Sequence, residues 1–289
     1  LTVHGRRTVT RLCCYPVERV RQYSGFMSRL VFSGEKRKGL LFILPDTQRL
    51  FQSILIVILF NHVGVADIGM DDSYEYWFLA GMLLHQEGRL SEAKEAYEQG
   101  LVCDPNNSAL LNNLGNVLSD QGNHTGALAR YEAARDSGGG DSVILGNIGR
   151  TLFLLGEYDK AIEMCLEATA LDTQNSIAWY YAATAYYELN QYEKAIEYFH
   201  KALALNQSFA LAWNNLGNVH MQRGEYDEAF KVYNKALDSD RNLTQAWYNR
   251  GVLLFATKRY CESVRAFEEV MRIKPDDMDA QERLRVARD

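Results

Sequence analysis

Hydrophobic positions recur through most of the chain at the spacing of an amphipathic helix. Leu111, Leu114 and Leu118 stand at i, i+3 and i+7, so their side chains share one helical face. Ser108 precedes this stripe and is a good N-cap, because its hydroxyl can accept a hydrogen bond from an unpaired backbone N–H. Gly122 follows the stripe, and glycine adopts the left-handed conformation that ends helices at little cost. The pattern predicts a helix between Ser108 and Gly122.

A second helix is predicted next, over about 126–135, and the two-helix pattern returns every 34 residues. Blocks that begin at residues 74, 108, 142, 176, 210 and 244 have a small eighth residue: Gly81, Gly115, Gly149, Ala183, Gly217 and Gly251. Their fourth residue is large: Trp77, Leu111, Leu145, Trp179, Trp213 and Trp247. Small residues let paired helices approach closely, and one pair cannot bury its apolar face alone. We therefore expect an all-α protein in which helix pairs stack in a row.

These positions resemble the signature of the tetratricopeptide repeat, a helix–turn–helix unit. The resemblance covers residues 71–277 as six repeats: 74–107, 108–141, 142–175, 176–209, 210–243 and 244–277. It implies a right-handed α-solenoid, that is, a superhelix of stacked repeats. Residues 278–289 form one more amphipathic stretch, which we interpret as the polar capping helix that a solenoid needs at an open end.

Two places depart from the repeat pattern. The connection 136–141 contains three consecutive glycines, which is typical of a slack link or of a hinge between the second and third repeats. Lys258 occupies a turn position, and we expect a strained or altered turn there. The other blocks have Gly88, Gly122, Gly156, Asn190 and Gly224 at that position.

The clearest internal copy is rich in asparagine: LLNNLGNVL begins at Leu110, and AWNNLGNVH begins at Ala212, 102 positions later. The resemblance places the first helix of each repeat on a concave face. Side-chain amides are both donors and acceptors, so a row of them can bind a peptide backbone, as in the similar asparagine ladder of O-GlcNAc transferases. The predicted peptide-binding residues on the concave face are Asn112, Asn113, Asn116, Asn147, Arg150, Tyr180, Thr184, Tyr187, Asn214, Asn215, Asn218, Tyr248 and Asn249.

The asparagine row has an alternative interpretation. Asparagine at these positions can fill space or cap helices without binding anything, and Tyr181 interrupts the row. If the amides do face a groove, replacing Asn214 and Asn218 with alanine is expected to weaken partner binding and to leave helicity intact.

We expect a non-catalytic protein–protein interaction scaffold that binds an extended or helical segment of a partner protein in its concave groove. Two alternatives stay open: a membrane-tethered assembly factor, and a regulatory or substrate-recruiting subunit of a separate enzyme such as a glycosyltransferase. The sequence contains no phosphate-binding glycine loop and no histidine or cysteine spacing typical of a metal site. We therefore expect no enzyme activity, no cofactor and no metal.

Charge is divided unevenly along the 289 residues. Residues 1–70 contain ten Lys/Arg and four Asp/Glu, whereas residues 71–289 contain 21 and 33, a net charge of −12. Binding to nucleic acid depends largely on neutralising phosphates, so the acidic repeats argue against a nucleic-acid partner. The five cysteines show no CxxC spacing, which favours a reducing compartment. We expect a cytoplasmic protein.

Residues 1–70 are basic, partly hydrophobic and outside the repeat pattern. Their unbroken apolar run 54–60 is far shorter than the roughly 20 residues that span a bilayer, so membrane contact through residues 40–67 is not favoured. Arginine-rich composition is also typical of organelle transit segments, which would make the protein organellar. A start at Met70 would leave Ser73 or Asp72 as the first N-cap, with residues 1–69 as a removed leader or a misassigned start.

Overall fold

The computed structural model describes residues 73–288, so the predicted leader, tether or misassigned start within residues 1–70 lies outside this range. The described residues contain thirteen α-helices and no strand. The helices are α1 (Tyr74–Gln86), α2 (Leu90–Cys103), α3 (Ser108–Asp120), α4 (His124–Ala134), α5 (Ser142–Leu154), α6 (Tyr158–Leu171), α7 (Ser176–Glu188), α8 (Tyr192–Leu205), α9 (Ala210–Gln222), α10 (Tyr226–Ser239), α11 (Thr244–Ala256), α12 (Tyr260–Ile273) and α13 (Met278–Arg288). None of these thirteen helices is both long enough and apolar enough to cross a membrane.

Consecutive helices pack in pairs, α1 with α2 through to α11 with α12. The described residues divide into two units between Pro105 and Asn106. The pair α1–α2 is the described part of the first unit. In the second unit, five pairs follow one another, and the second helix of each pair contacts the first helix of the next. The all-α solenoid architecture predicted from the sequence is confirmed.

Polar residues ahead of the helices satisfy the first unpaired N–H groups. Ser73 caps α1, since its Oγ accepts a hydrogen bond from the N–H of Tyr76 at 3.3 Å. The predicted cap Ser108 is wrong: the side chain of Asn107 accepts a hydrogen bond from the N–H of Leu110 at 3.1 Å, and Ser108 is the first helical residue. Asparagine is as strong an N-cap as serine, and the helix begins one residue earlier than the sequence pattern predicted.

The link between the second and third repeats is a defined turn. α4 begins at His124, two residues earlier than predicted, because Asn123 accepts the N–H of Gly126. The chain then continues in a wide helical turn, Arg135–Gly139, which contacts α3 and α5. Gly138 has a φ of 92°, which glycine adopts without steric cost. The slack link expected as one alternative is therefore replaced by a packed turn.

Lys258 has the same left-handed backbone as its counterparts in the other repeats. Its φ is 61°, close to the 57° of Asn190 and the 74° of Gly224. A side chain in this region costs about 1 kcal/mol relative to glycine. The strained turn predicted from the sequence is confirmed, and the altered course offered as its alternative does not occur.

The small eighth residues allow large side chains to lie against the first helices. A Cβ atom on Gly115 would lie 2.6 Å from the ring of Tyr131, and one on Gly217 would lie 2.5 Å from the ring of Tyr233. Both tyrosines are buried. Cys165 has this role in the third repeat, where burial raises the pKa of its thiol to about 12, consistent with a packing role.

α13 begins 34 residues after the start of α11, where the first helix of another repeat would begin, and it packs against α12. Its buried residues are Ala280 and Ala287. The polar residues Gln281 and Arg285 occupy the fourth and eighth positions, which are large and small in the six repeats. A helix in this segment was predicted, and its role as a solenoid cap stays a prediction.

Candidate functional site

The thirteen predicted binding residues all lie on the first helices of repeats two to six, namely α3, α5, α7, α9 and α11. The helices α5, α7, α9 and α11 contact one another in order and form a continuous row. Most of the predicted side chains are half-buried, but Asn214 is 0% exposed and Thr184 is 6% exposed. These two side chains lie beneath the surface, which corrects their assignment as groove-lining residues.

Four of the polar side chains join repeats two and three. We call Asn112, Asn116, Tyr131 and Asn147 the first amide cluster. The hydroxyl of Tyr131 donates a hydrogen bond to Oδ1 of Asn116 at 2.7 Å. Nδ2 of Asn147 donates to Oδ1 of Asn112 at 3.0 Å and to Oδ1 of Asn116 at 3.4 Å. Nδ2 of Asn112 also donates to Oδ1 of Asn113 at 3.4 Å.

The same arrangement joins repeats five and six, 102 positions later. We call Asn214, Asn218, Tyr233 and Asn249 the second amide cluster. The hydroxyl of Tyr233 donates to Oδ1 of Asn218 at 2.7 Å, and Nδ2 of Asn249 donates to Oδ1 of both Asn214 and Asn218 at 3.0 Å. Nδ2 of Asn214 donates to Oδ1 of Asn215 at 3.1 Å. The repeated asparagines therefore bind one another and link neighbouring repeats.

These bonds determine which amide atoms remain available. Oδ1 of Asn218 already accepts two hydrogen bonds, and Nδ2 of Asn249 already donates two. Within the described part of the chain, Nδ2 of Asn218 and Oδ1 of Asn249 have no hydrogen-bond partner. The network thus fixes the orientation of both amides and leaves the donor group of Asn218 and the acceptor group of Asn249 free.

The interruption at Tyr181 coincides with an aromatic group in the middle of the row. Tyr181 packs edge-on against Tyr180, with ring centroids 5.0 Å apart. It also packs against the tilted ring of Phe153, with centroids 5.8 Å apart. Nδ2 of Asn215 donates to the hydroxyl of Tyr180 at 3.0 Å, across the same 35-residue separation as Asn147 and Asn112. Burial raises the pKa of Tyr180 to about 12. Aromatic rings therefore replace amides here.

Arg150 is the predicted binding residue that carries a charge. Its Nη2 donates to Oγ of Ser119 at 3.3 Å, and its buried Nε has no hydrogen-bond partner. Burial raises the pKa of Tyr131 to about 12, although the nearby charge of Arg150 acts to lower it. Arg150 therefore lies beside the first amide cluster with part of its donor capacity unused.

An open cavity of about 290 Å³ adjoins the second amide cluster. Burial raises the pKa of the Tyr187 phenol, and a hydrogen bond with Gln222 opposes this effect. The cavity is lined by Tyr187, Asn218, Met221, Gln222, Tyr233, Asn249 and Val252.

The sequence prediction included three of these lining residues, Tyr187, Asn218 and Asn249. Val252 and Met221 occupy the ninth and twelfth positions of their repeats, the positions of the predicted residues Asn218 and Tyr187 in other repeats. Position alone could therefore have identified them. Tyr248, which was predicted, instead packs edge-on against Phe267, with ring centroids 5.7 Å apart.

Comparison with protein families agrees with this architecture. Models described as tetratricopeptide repeat or TPR repeat match residues 81–122, 106–174, 141–208, 180–243 and 244–277, which together cover residues 81–277. The chain belongs to the tetratricopeptide repeat family. Members of this family are in general protein-interaction scaffolds, so the general class of function follows from membership.

Solved structures with the same fold extend this result. The crystal structure of the APC/C hetero-tetramer Cut9–Hcn1 matches with a TM-score of 0.72 and 18% identity, over 84% of this chain and 46% of that chain. Pseudomonas aeruginosa PilF matches with a TM-score of 0.63 and 20% identity, over 73% and 96% of the two chains. MamA matches with a TM-score of 0.50 and 27% identity, over 56% and 94%. This tetratricopeptide repeat chain thus spans about half the length of the Cut9–Hcn1 chain.

Comparison with curated protein sequences finds no match. Among residues 73–288, histidine, cysteine and acidic side chains form no group of three that could hold a metal ion.

Proposed function

We propose that this tetratricopeptide repeat protein is a non-catalytic scaffold that holds an extended segment of a partner protein against its row of first helices. The single observation that carries the proposal is that Asn218 and Asn249, which line an open cavity, have a free amide nitrogen and a free amide oxygen respectively. A polypeptide backbone offers one N–H and one C=O at almost every residue, so it is complementary to such a pair.

Hydrogen bonds alone bind such a segment weakly. Each contributes only about 0.5–1.5 kcal/mol net, because both partners give up bonds to water. Apolar contact is therefore needed as well, and the half-buried Tyr187 and Met221 can supply it. In the first cluster, Nδ2 of Asn116 and Oδ1 of Asn147 likewise have no hydrogen-bond partner among residues 73–288, so one long segment can use both clusters.

The internal bonds change which substitutions test this function. Asn218 holds Tyr233 and Asn249, so Asn218→Ala removes structural bonds as well as a free donor. Asn214 is buried, so its substitution reports on stability. Tyr187 and Gln222 line the cavity outside the amide cluster and are the better choice.

Phage-displayed random dodecapeptides would be selected on the immobilised full-length chain, and the enriched peptides titrated by fluorescence polarisation. The double variant Tyr187→Ala/Gln222→Ala is expected to lose about tenfold or more in affinity. The control Tyr74→Ala/Gln281→Ala changes the same residue types at exposed positions outside the cavity and is expected to bind normally. Failure to enrich any peptide, or equal binding by both double variants, would refute the proposal.

A further inference from the structure

We infer that the cavity beside the second amide cluster receives one large, uncharged side chain with an apolar body from the bound partner segment. This inference rests on the proposed function, since it names the chemistry of the segment held in the groove.

The lining of the cavity disfavours a charged side chain. None of the seven side chains that line it carries a formal charge. An ammonium or carboxylate group that entered it would lose hydration without gaining an opposite charge, which is unfavourable. A neutral side chain avoids this cost.

The size and walls of the cavity favour a large apolar group. Its volume of about 290 Å³ is close to the lower end of the range for ligand pockets, about 300 Å³. Met221 and Val252 form apolar wall, and the flexible thioether of methionine adapts to different shapes. A leucine, methionine, phenylalanine or tyrosine side chain meets these conditions, whereas alanine would leave most of the space open.

The free amide groups complete the site. Asn218 and Asn249, whose Nδ2 and Oδ1 respectively have no hydrogen-bond partner among the described residues, both line this cavity. They can bind the backbone C=O and N–H of the residue whose side chain fills the cavity. The same residue of the partner would then make both the backbone contact and the side-chain contact. The cavity would therefore determine which side chain the partner needs at that position.

The equivalent space beside the first amide cluster is different. Arg150 corresponds to Val252 and Ser119 corresponds to Met221, each 102 positions earlier. Nη2 of Arg150 donates to Oγ of Ser119, so a charged side chain bridges the two positions there. The neutral cavity is therefore a property of repeats four to six, since Tyr187 of the fourth repeat also lines it, and it does not follow from the amide cluster itself.

The test uses the full-length chain and the tightest synthetic peptide from the phage selection. Each peptide residue is replaced by alanine, and binding is measured to the wild type and to Val252→Arg. This substitution places a long cationic side chain in the cavity. Val102→Arg is the matched control, because Val102 is 75% exposed and does not line the cavity. Met221→Ser is a second cavity variant, used if Val252→Arg does not fold.

One peptide position is expected to show coupling: its alanine substitution weakens wild-type binding about tenfold or more, but has little effect on the Val252→Arg protein. The residue at that position is expected to be leucine, methionine, phenylalanine or tyrosine, and its replacement by aspartate or lysine is expected to weaken binding at least as much as alanine.

A charged residue at the coupled position, or no coupled position in a peptide that still binds, overturns the cavity inference and leaves the groove proposal intact. If the wild type enriches no peptide, the proposed function fails and the inference fails with it.

Discussion

The first amide cluster joins repeats two and three, and the second joins repeats five and six. Each cluster contains the same three hydrogen bonds, and two of them cross between the repeats. The tyrosine hydroxyl is 2.7 Å from its asparagine in both clusters. The bonds between repeats are 3.0 and 3.4 Å in the first cluster and 3.0 Å each in the second. Their surroundings differ, because Arg150 and Ser119 border the first cluster while Val252 and Met221 border the second. Both clusters therefore have the same hydrogen bonds between repeats, whereas the residues that border those bonds differ in charge and polarity.

The largest loss of stability is expected from substitutions that fill the space occupied by the rings of Tyr131 and Tyr233. Gly115→Val or Gly217→Val would place side-chain atoms within the rings of Tyr131 or Tyr233, and each is expected to lower the free energy of unfolding by about 3 kcal/mol. Urea denaturation followed by circular dichroism measures this. Gly140→Val is the control, because its Cβ would lie 4.0 Å from Arg135 and touch nothing closer. A loss as large in the control would contradict the prediction.

A smaller loss is expected when an asparagine inside each cluster is removed. Asn116→Ala and Asn218→Ala each leave a buried tyrosine hydroxyl and an amide N–H without an acceptor, which costs about 2 kcal/mol. Because the bonds are equivalent, the two losses are expected to agree within about 0.5 kcal/mol. Unequal losses in urea denaturation would mean that the bordering residues, rather than the shared bonds, determine stability.

The two tyrosines are expected to make unfolding sensitive to alkaline pH. Burial raises the pKa of Tyr131 from 10.0 to about 12, because the folded protein favours the neutral phenol. The contribution of this phenol to stability is complete below about pH 10 and is lost as the pH rises to about 12. Stability is expected to fall by about 1 kcal/mol per pH unit more steeply in the wild type than in Tyr131→Phe. Denaturation series between these pH values test this, and parallel slopes would contradict it.

The smallest change in stability is expected at Arg150, which borders the first amide cluster and has Val252 as its counterpart at the second. Arg150→Met removes a guanidinium whose buried Nε has no acceptor, so the free energy of unfolding is expected to change by less than about 1 kcal/mol. Removing the charge also removes the influence that lowers the pKa of Tyr131, so that pKa is expected to rise. Absorbance titration of the phenols measures the shift. An unchanged Tyr131 pKa would show that Arg150 does not act on this phenol, and a lower one would contradict the expected direction.

Most of the fold could be predicted because the repeat places the same physical requirement at the same position each time. A small residue at the eighth position faces a large one, and a left-handed residue ends each first helix, as at Gly122 and Gly224. Helix starts were less certain, since Asn107 and Ser108 are adjacent and both are good caps. Local sequence does not decide between two neighbouring caps of similar strength.

The candidate site could be predicted only in part. The residue pattern located the first helices, and three of the residues that it proposed for peptide binding line the cavity. It could not show that Asn214 is buried, because an asparagine at a concave position can face either solvent or the neighbouring repeat. That choice depends on where the side chain of Asn249, 35 residues away, comes to lie.

The sequence by itself therefore determined the repeat family, the helix pairing and the helices that carry the asparagines, because each of these follows from short-range spacing that recurs in every repeat. Only the tertiary structure decided which amide atoms are already bonded and which remain free. Those bonds join side chains from different repeats, and whether two such groups meet depends on how the helices stack.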